Sequence, residues 1–306
     1  MSYADQIFKA TCRDILENGV SDEGMNVRPR WEDGTPAHTV KKFGIVNRYD
    51  LSKEFPIMTI RRTYWKSAID ELLWIWQKKS NRVAELASHV WDQWADENGT
   101  IGKAYGYQIG QKYVHHTIKN VSSMENIAED LSAYPSAEVV FEKGNALVLL
   151  DQIDSVIYDL RNNPASRRIM TNIYTFADLH EMGLYPCAYS MTFNISGNKL
   201  NTILNQRSQD MLAASAWNTC QYAVLTHMAA QVCGLEVGEL VHVIADCHIY
   251  DRHVPIIKEL LEKDELPAPE FVMDKSVTDF YSFTPESFQM KNYQFQPFDH
   301  KIPIAI

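Results

Sequence analysis

No apolar run in this 306-residue chain approaches the ~20 residues of a membrane-spanning helix, so an integral membrane role is not expected. The first 20 residues mix charges with single apolar side chains and have no apolar h-region, so no secretory signal is expected either. Both common glycine-rich phosphate loops are missing, which argues against the usual dinucleotide and nucleoside-triphosphate folds. Cysteines are few: five, at positions 12, 187, 220, 233 and 247, an odd count with no CxxC spacing. A disulfide framework or a structural zinc site is therefore not expected; a reducing cytoplasm with mostly buried thiols is. Positive charge is in deficit, 29 Lys+Arg against 39 Asp+Glu for a net charge of −10. That balance argues against DNA, RNA or a membrane surface as a partner, each of which needs a basic face, but leaves room for a local phosphate pocket. Repeats, low-complexity runs and linkers are absent, so residues 1–306 read as one domain.

Hydrophobic spacing supplies the elements. A helix is expected over about the first 25 residues, and another over 67–78 with Ile69, Leu72, Leu73 and Trp76 on one stripe and Ser67 as its cap. Residues 108–151 are the least readable, with a short helix over 124–131 and a variable insert as the working description. Helical spacing continues over 146–161 and stops before Pro164. Loose alternation then predicts a strand over 168–176, and a hairpin from 188–195 and 199–205 around Ser196-Gly197-Asn198. A buried helix over 219–232, an inner strand over 239–246 and a helix over 253–263 complete an α+β pattern.

Several residues bear on chemistry. Cys187 follows Leu184-Tyr185-Pro186 at a strand entry, where a proline turn presents a side chain at the sheet rim; an unexceptional buried thiol is the commoner outcome there. In Gln206-Arg207-Ser208-Gln209-Asp210 a guanidinium and a hydroxyl make a good phosphate pair, and Asp210 serves equally well as a plain ion-pair partner for Arg207. His248 and Tyr250 share a strand face. Cys247, His248 and His253 do not make a metal site, since neighbours on a strand point to opposite faces. Trp91 and Trp94 share a helical face, as core tryptophans do and as a stacking wall for a flat ring would. Arg61-Arg62 and Arg167-Arg168 read as solvated pairs.

Taken together, these segments resemble the thymidylate synthase family. Leu184-Tyr185-Pro186-Cys187 is similar to its nucleophile segment, 206–211 to its phosphate loop, and Trp217-Asn218 to the site of its pyrimidine-reading asparagine. Residues 246–250 resemble its His/Tyr segment, Glu71-Leu72-Leu73-Trp74 its glutamate helix, and 91–99 with Tyr105-Gly106 its folate side. Residues 164–169 resemble its partner-subunit arginine pair, and 303–306 its closing tail. The matches keep their order and span nearly the whole chain outside 108–151.

The resemblance implies a mixed β-sheet covered by helices, one sheet face forming a homodimer interface, and no metal. It implies reductive methylation of dUMP to dTMP by 5,10-methylenetetrahydrofolate, with Cys187 adding to C6 of the uracil and dihydrofolate released. Glu71 would organise water for the proton steps, and Tyr105 would lie near the C5 proton. Gln206, Arg207, Ser208, Asp210, Asn218, His248 and Tyr250 would bind dUMP, joined by the partner's Arg167 and Arg168, and the cations would favour the Cys187 thiolate. Trp91, Trp94, Asp210, Arg61 and Ile306 would border the folate. Asparagine at 218 favours uracil over cytosine, whose edge is reversed. The sequence departs from the family where its usual glycines are Ala214 and Ala245 and its frequent histidine is Ala188. The N-terminal phosphate arginine is either Arg28 or Arg30. A pyrimidine nucleotide hydroxymethylase and a weakly active nucleotide-binding paralogue are the competing readings.

Overall fold

The computed structural model describes residues 1–127 and 130–306. In chain order its helices are α1 (Tyr3–Asn18), α2 (Trp65–Trp76), α3 (Gly106–Ile109), α4 (Gln152–Asn162), α5 (Ser215–Val232) and α6 (Val254–Glu262). Its strands are β1 (Val20–Ser21), β2 (Thr39–Asp50), β3 (Tyr113–Ile118), β4 (Glu138–Glu142), β5 (Asn145–Leu150), β6 (Met170–Asn172), β7 (Ala188–Ser196), β8 (Lys199–Asp210), β9 (Glu236–Tyr250), β10 (Glu270–Met273) and β11 (Phe288–Lys291).

Six strands form the main sheet in the order β1-β2-β9-β8-β7-β6. Every pairing in it is antiparallel except β8 with β9, so the sheet is mixed, as expected. The β7–β8 hairpin turns at Gly197, whose φ of +63° suits a residue without a side chain. A parallel pair needs a crossover, and α5 supplies it between β8 and β9. This helix is apolar nearly all round because it lies between layers, with β8 and β9 on one side and α2 on the other. Trp74, Trp76, Ile69 and Leu72 of α2 are almost wholly buried there. Helix α1 covers β2. The opposite sheet face is uncovered, with Val46 and Ile203 exposed beside half-buried Val241 and Val243.

Several local expectations need correction. The first helix ends at Asn18, where Asn18-Gly19 closes it, so it does not fill the whole of the first 25 residues. Helix α2 begins two residues before Ser67, which does not cap it; the preceding residue is Tyr64, without a side-chain cap. The helix expected over 146–161 is strand β5 followed by α4, separated by Asp151, whose side chain accepts from the Asp154 amide as the true cap. Of the residues at helical spacing, Ile153, Ile157 and Leu160 lie on α4, whereas Leu149 belongs to β5, from which Ala146, Val148 and Leu150 point inward. Strand β2 went unread because its sequence does not alternate cleanly, with Lys41 and Lys42 adjacent and apolar Phe43 and Val46 on exposed positions. Only residues 170–172 of the 168–176 run are strand, and a 3₁₀ turn follows (Phe176–Glu181). In the 108–151 region β3, β5 and β4 build a separate three-stranded antiparallel sheet. Of the helix expected over 124–131, Met124–Asn126 is a 3₁₀ turn, and residues 128 and 129 lie outside the described residues.

Candidate active site

The β7–β8 pairing brings the thiol segment to the anion loop. The Arg207 amide donates to the Cys187 carbonyl at 2.9 Å. The Arg207 guanidinium then turns back, Nε donating to the Pro186 carbonyl at 3.0 Å and Nη2 to the Tyr185 carbonyl at 2.7 Å. Nη2 also lies 3.6 Å from Cys187 Sγ. Arg207 has no carboxylate partner among the described residues, so its charge is aimed by neutral carbonyls and left available to an anion. The plain Arg207–Asp210 ion pair is not formed. Burial pushes the Cys187 thiol up, and Arg207 opposes it. The cation thus acts in the expected direction, but burial outweighs it, and the thiol needs a place for its proton when it attacks.

The Cys187 amide donates to the Tyr105 hydroxyl at 3.3 Å. Tyr105 has φ +45°, a costly conformation for a large residue. The next residue explains how the turn is held: a Cβ at Gly106 would sit 2.2 Å from the Ser80 carbonyl oxygen, so the backbones meet where only glycine fits. Burial pushes the Tyr105 phenol far up, so it stays protonated. Its ring packs on Trp91 at 4.9 Å, and Trp91 on Trp94 at 5.4 Å. Trp94 ends a 3₁₀ turn (Asp92–Trp94) that Trp91 immediately precedes, in place of the regular helix expected, and Trp91 is buried while Trp94 is partly exposed. They form an aromatic wall next to the thiol segment.

Glu71 projects from α2 and is buried. Burial raises its carboxyl to about 7, against the smaller opposing influence of Gln221, Trp217 and Trp91. Gln221 Nε2 donates to Glu71 Oε1 at 3.0 Å and to the Ala68 carbonyl at 3.1 Å. A carboxyl near 7 both takes and gives protons at neutral pH. Trp217 and Gln221, one turn apart on α5, are the supports that sequence reading missed.

Asn218 lies on the same helix, and its Nδ2 donates to Gln206 Oε1 at 3.3 Å. Gln206 is itself oriented: His242 Nε2 lies 2.9 Å from the same Oε1, and Gln206 Nε2 donates to the Ser208 carbonyl at 2.8 Å and to Gln209 Oε1. Burial lowers His242 to about 3, so it is neutral and its Nε2 carries the hydrogen. Gln206, expected to touch the nucleotide, thus orients Asn218, with one Nδ2 hydrogen and Oδ1 left for a ligand. His242 was not singled out from the sequence. The alternation of β9, which buries Leu240, His242 and Ile244, is the signal that reveals it.

Ser208 pairs with Asp246, and Asp210 with His248, across the parallel β8–β9 ladder. Asp246 Oδ1 lies 2.8 Å from His248 Nδ1, which leaves His248 Nε2 to act outward, and Lys41 holds the other oxygen of Asp246 at 3.2 Å. The His248 and Tyr250 rings are 5.0 Å apart on one face, as expected. Burial and Asp210 push the Tyr250 phenol up to about 12, and the Arg28 charge opposes them. Arg28 is thus the N-terminal arginine whose charge reaches this group, whereas Arg30 acts through its backbone, its amide and carbonyl pairing with Ile306 at 2.8 and 3.0 Å.

Asp210 Oδ1 accepts from the Leu212 and Ala213 amides at 2.9 and 3.1 Å. Burial raises Asp210, but His253 and His248 outweigh it and hold the carboxyl below its ordinary value. Arg61 is turned inward, its Nη2 donating to the Leu212 carbonyl and its cation 5.9 Å from the Phe298 ring. Ala214 has φ −111° and ψ −17° at the start of α5, and Ala245 is within β9, so neither alanine meets a backbone that demands glycine. Arg167 and Arg168 are not gathered with Cys187's neighbours. They line an open cleft of about 850 Å³ with Tyr113, His115, His116 and Asp159. No cluster of His, Cys, Asp and Glu suited to a metal ion occurs among the described residues, and none of their helices is long and apolar enough to cross a membrane.

Residues 6–306 match the sequence family described as thymidylate synthase. Relatives include thymidylate synthase 1 of Bacillus spizizenii and thymidylate synthase of Bacillus phage phi3T, each 40% identical over 298 residues, covering 96% of this chain and 96% of the relative. Among solved structures, thermostable thymidylate synthase A from Bacillus subtilis superposes with a TM-score of 0.85 at 37% identity, covering 100% of both chains.

Proposed function

This chain belongs to the thymidylate synthase family, and on that premise we propose that it converts dUMP to dTMP, with 5,10-methylenetetrahydrofolate as co-substrate and dihydrofolate as second product. The observation that carries the proposal is Cys187 Sγ 3.6 Å from an Arg207 guanidinium that has no carboxylate partner among the described residues. Bound folate supplies a methylene carbon and then a hydride. The chain's residues do the rest. Cys187 Sγ bonds to C6 of the uracil, and the displaced electron pair makes C5 nucleophilic. Asn218 accepts from N3–H and donates to O4, where that charge collects. After C5 has bonded to the methylene carbon, its proton leaves through water ordered by Glu71, beside Tyr105, and the electron pair left at C5 expels the folate nitrogen from that carbon. Hydride capture and release of the Cys187 thiolate complete the turnover.

Arg207, Ser208 and Arg28 bind the phosphate, and His248 and Tyr250 the ribose 3′-hydroxyl. Asp210, Trp91, Trp94 and Ile306 border the folate, with Arg61 acting through the Leu212 carbonyl rather than at the rim. The functional unit is a cytoplasmic homodimer in which Arg167 and Arg168 complete the partner's phosphate site. The uncovered apolar strip of Val46, Ile203, Val241 and Val243 supports that reading. The test is the absorbance rise of dihydrofolate on mixing protein, dUMP and methylenetetrahydrofolate, with dCMP as control. A rise with dUMP alone is expected. Product without dihydrofolate would indicate hydroxymethylation, and nucleotide binding without product a paralogue that only binds.

A further inference from the structure

His253 is completely buried and sits between two groups that only accept hydrogen bonds. Its Nε2 lies 2.8 Å from the Pro303 carbonyl oxygen; its Nδ1 makes no aligned hydrogen bond but lies at ion-pair distance, 3.3 Å, from Asp210 Oδ1. The Pro303 contact requires a hydrogen on Nε2. A neutral ring carrying that hydrogen would point the Nδ1 lone pair at a carboxylate. Only the imidazolium suits both neighbours.

We propose that His253 is a positioning residue that holds the end of the chain over the site as an imidazolium, so that docking of this segment takes up a proton. Residues 296–298 are anchored by Lys263 Nζ donating to the Pro297 carbonyl at 2.5 Å, Gln296 Nε2 donating to the Asp264 carbonyl at 3.0 Å, and Phe298 packed on the core, while the segment beyond has fewer contacts. The Gln296 amide bonds the Thr59 carbonyl at 2.7 Å, Phe298 lies under Arg61 and Lys263, His300 contacts Glu259, and Ile306 pairs with Arg30. The groups facing His253 are the Asp210 carboxylate, the edges of Trp31 and Tyr250, and Asp251. Arg252 is engaged elsewhere, over Trp31 and on Asp33. Burial opposes the charge, but Asp210, the Pro303 carbonyl and Asp251 together raise His253 above its ordinary value. The docked segment therefore loosens as pH climbs past that raised value.

The latch rests on contacts within the protein and stands whether or not dUMP is the substrate; only its benefit to folate binding through Asp210 depends on the function proposed above. The experiment is amide hydrogen exchange at Ile306, expressed as protection relative to the free-peptide rate, from about pH 6 to about pH 9. Protection is expected to fall about tenfold with rising pH, the scale of one charge-assisted hydrogen bond. It should be low and independent of pH in His253→Gln, and keep its pH dependence in His300→Gln. Flat protection in the unaltered protein, persistence of the pH dependence in His253→Gln, or its loss in His300→Gln would each overturn the proposal. If His253→Gln does not fold, the His253 ring is titrated by NMR in the unaltered protein and in one lacking residues 302–306. An unchanged midpoint on removing the segment refutes the latch.

Discussion

Replacing Glu71 by glutamine separates what this carboxyl costs the fold from what it does for the reaction. Moving it from its ordinary 4.5 up to about 7 corresponds to about 3 kcal/mol. The folded protein binds the proton more tightly than the unfolded chain does. Stability from this group is therefore complete below about pH 4.5, declines as pH rises, and is lost above about pH 7. Glutamine has no proton to lose, and its carbonyl can still accept from Gln221. The stability of Glu71→Gln minus that of the unaltered protein should rise by roughly 3 kcal/mol between about pH 4.5 and about pH 7.5, then level off. Urea unfolding at a series of pH values measures that difference. Turnover should fall steeply at every pH, because an amide neither takes nor gives a proton. A stability difference that stays flat across this range would mean that Glu71 titrates as an ordinary carboxyl, and the reasoning from burial would be refuted.

Two further substitutions address the chemistry. Cys187→Ser should reduce dihydrofolate formation by at least about 10³-fold while dUMP binding, measured by calorimetry, changes little, since Arg207, Asn218 and His248 remain; normal turnover would remove Cys187 from the mechanism. Asn218→Asp should shift kcat/KM from dUMP towards dCMP by roughly 10²-fold or more, since a protonated carboxyl matches the reversed edge and an ionised one repels O4. An unchanged preference would show that Asn218 does not read the base.

The residues proposed to touch a ligand were the easiest to read from the sequence, because each sits in a short, ordered string: Cys187 after its proline, Arg207 and Ser208 together, His248 and Tyr250 two apart. What escaped was the support behind them. His242, Gln221 and His253 act through partners far away in the chain, Gln206, Glu71 and Pro303, and no local pattern records such a pairing. The long buried helix was legible because α5 is apolar over many turns. Strand β5 was misread as helix because Ala146 to Leu150 is a continuous apolar run, which shows no period of its own, and a true helix follows directly. Arg61 was read as a solvated charge because charge suggests exposure, whereas tertiary packing buries it under the loop after Asp210.

The single parallel pairing in the sheet has a metric consequence. Ser208 and Asp210 stand level with Asp246 and His248, so with the roles proposed above the spacing between the phosphate end and the ribose end is counted in rungs of roughly 3.3 Å. One residue gained or lost within β9 would carry His248 and Tyr250 to the other side of the sheet, and two would displace them along the strand by a full side-chain repeat. The fold thus acts as a ruler for the length of nucleotide it accepts, whereas the separate β3-β5-β4 sheet lies outside that ladder and is free to vary in length without altering the measure.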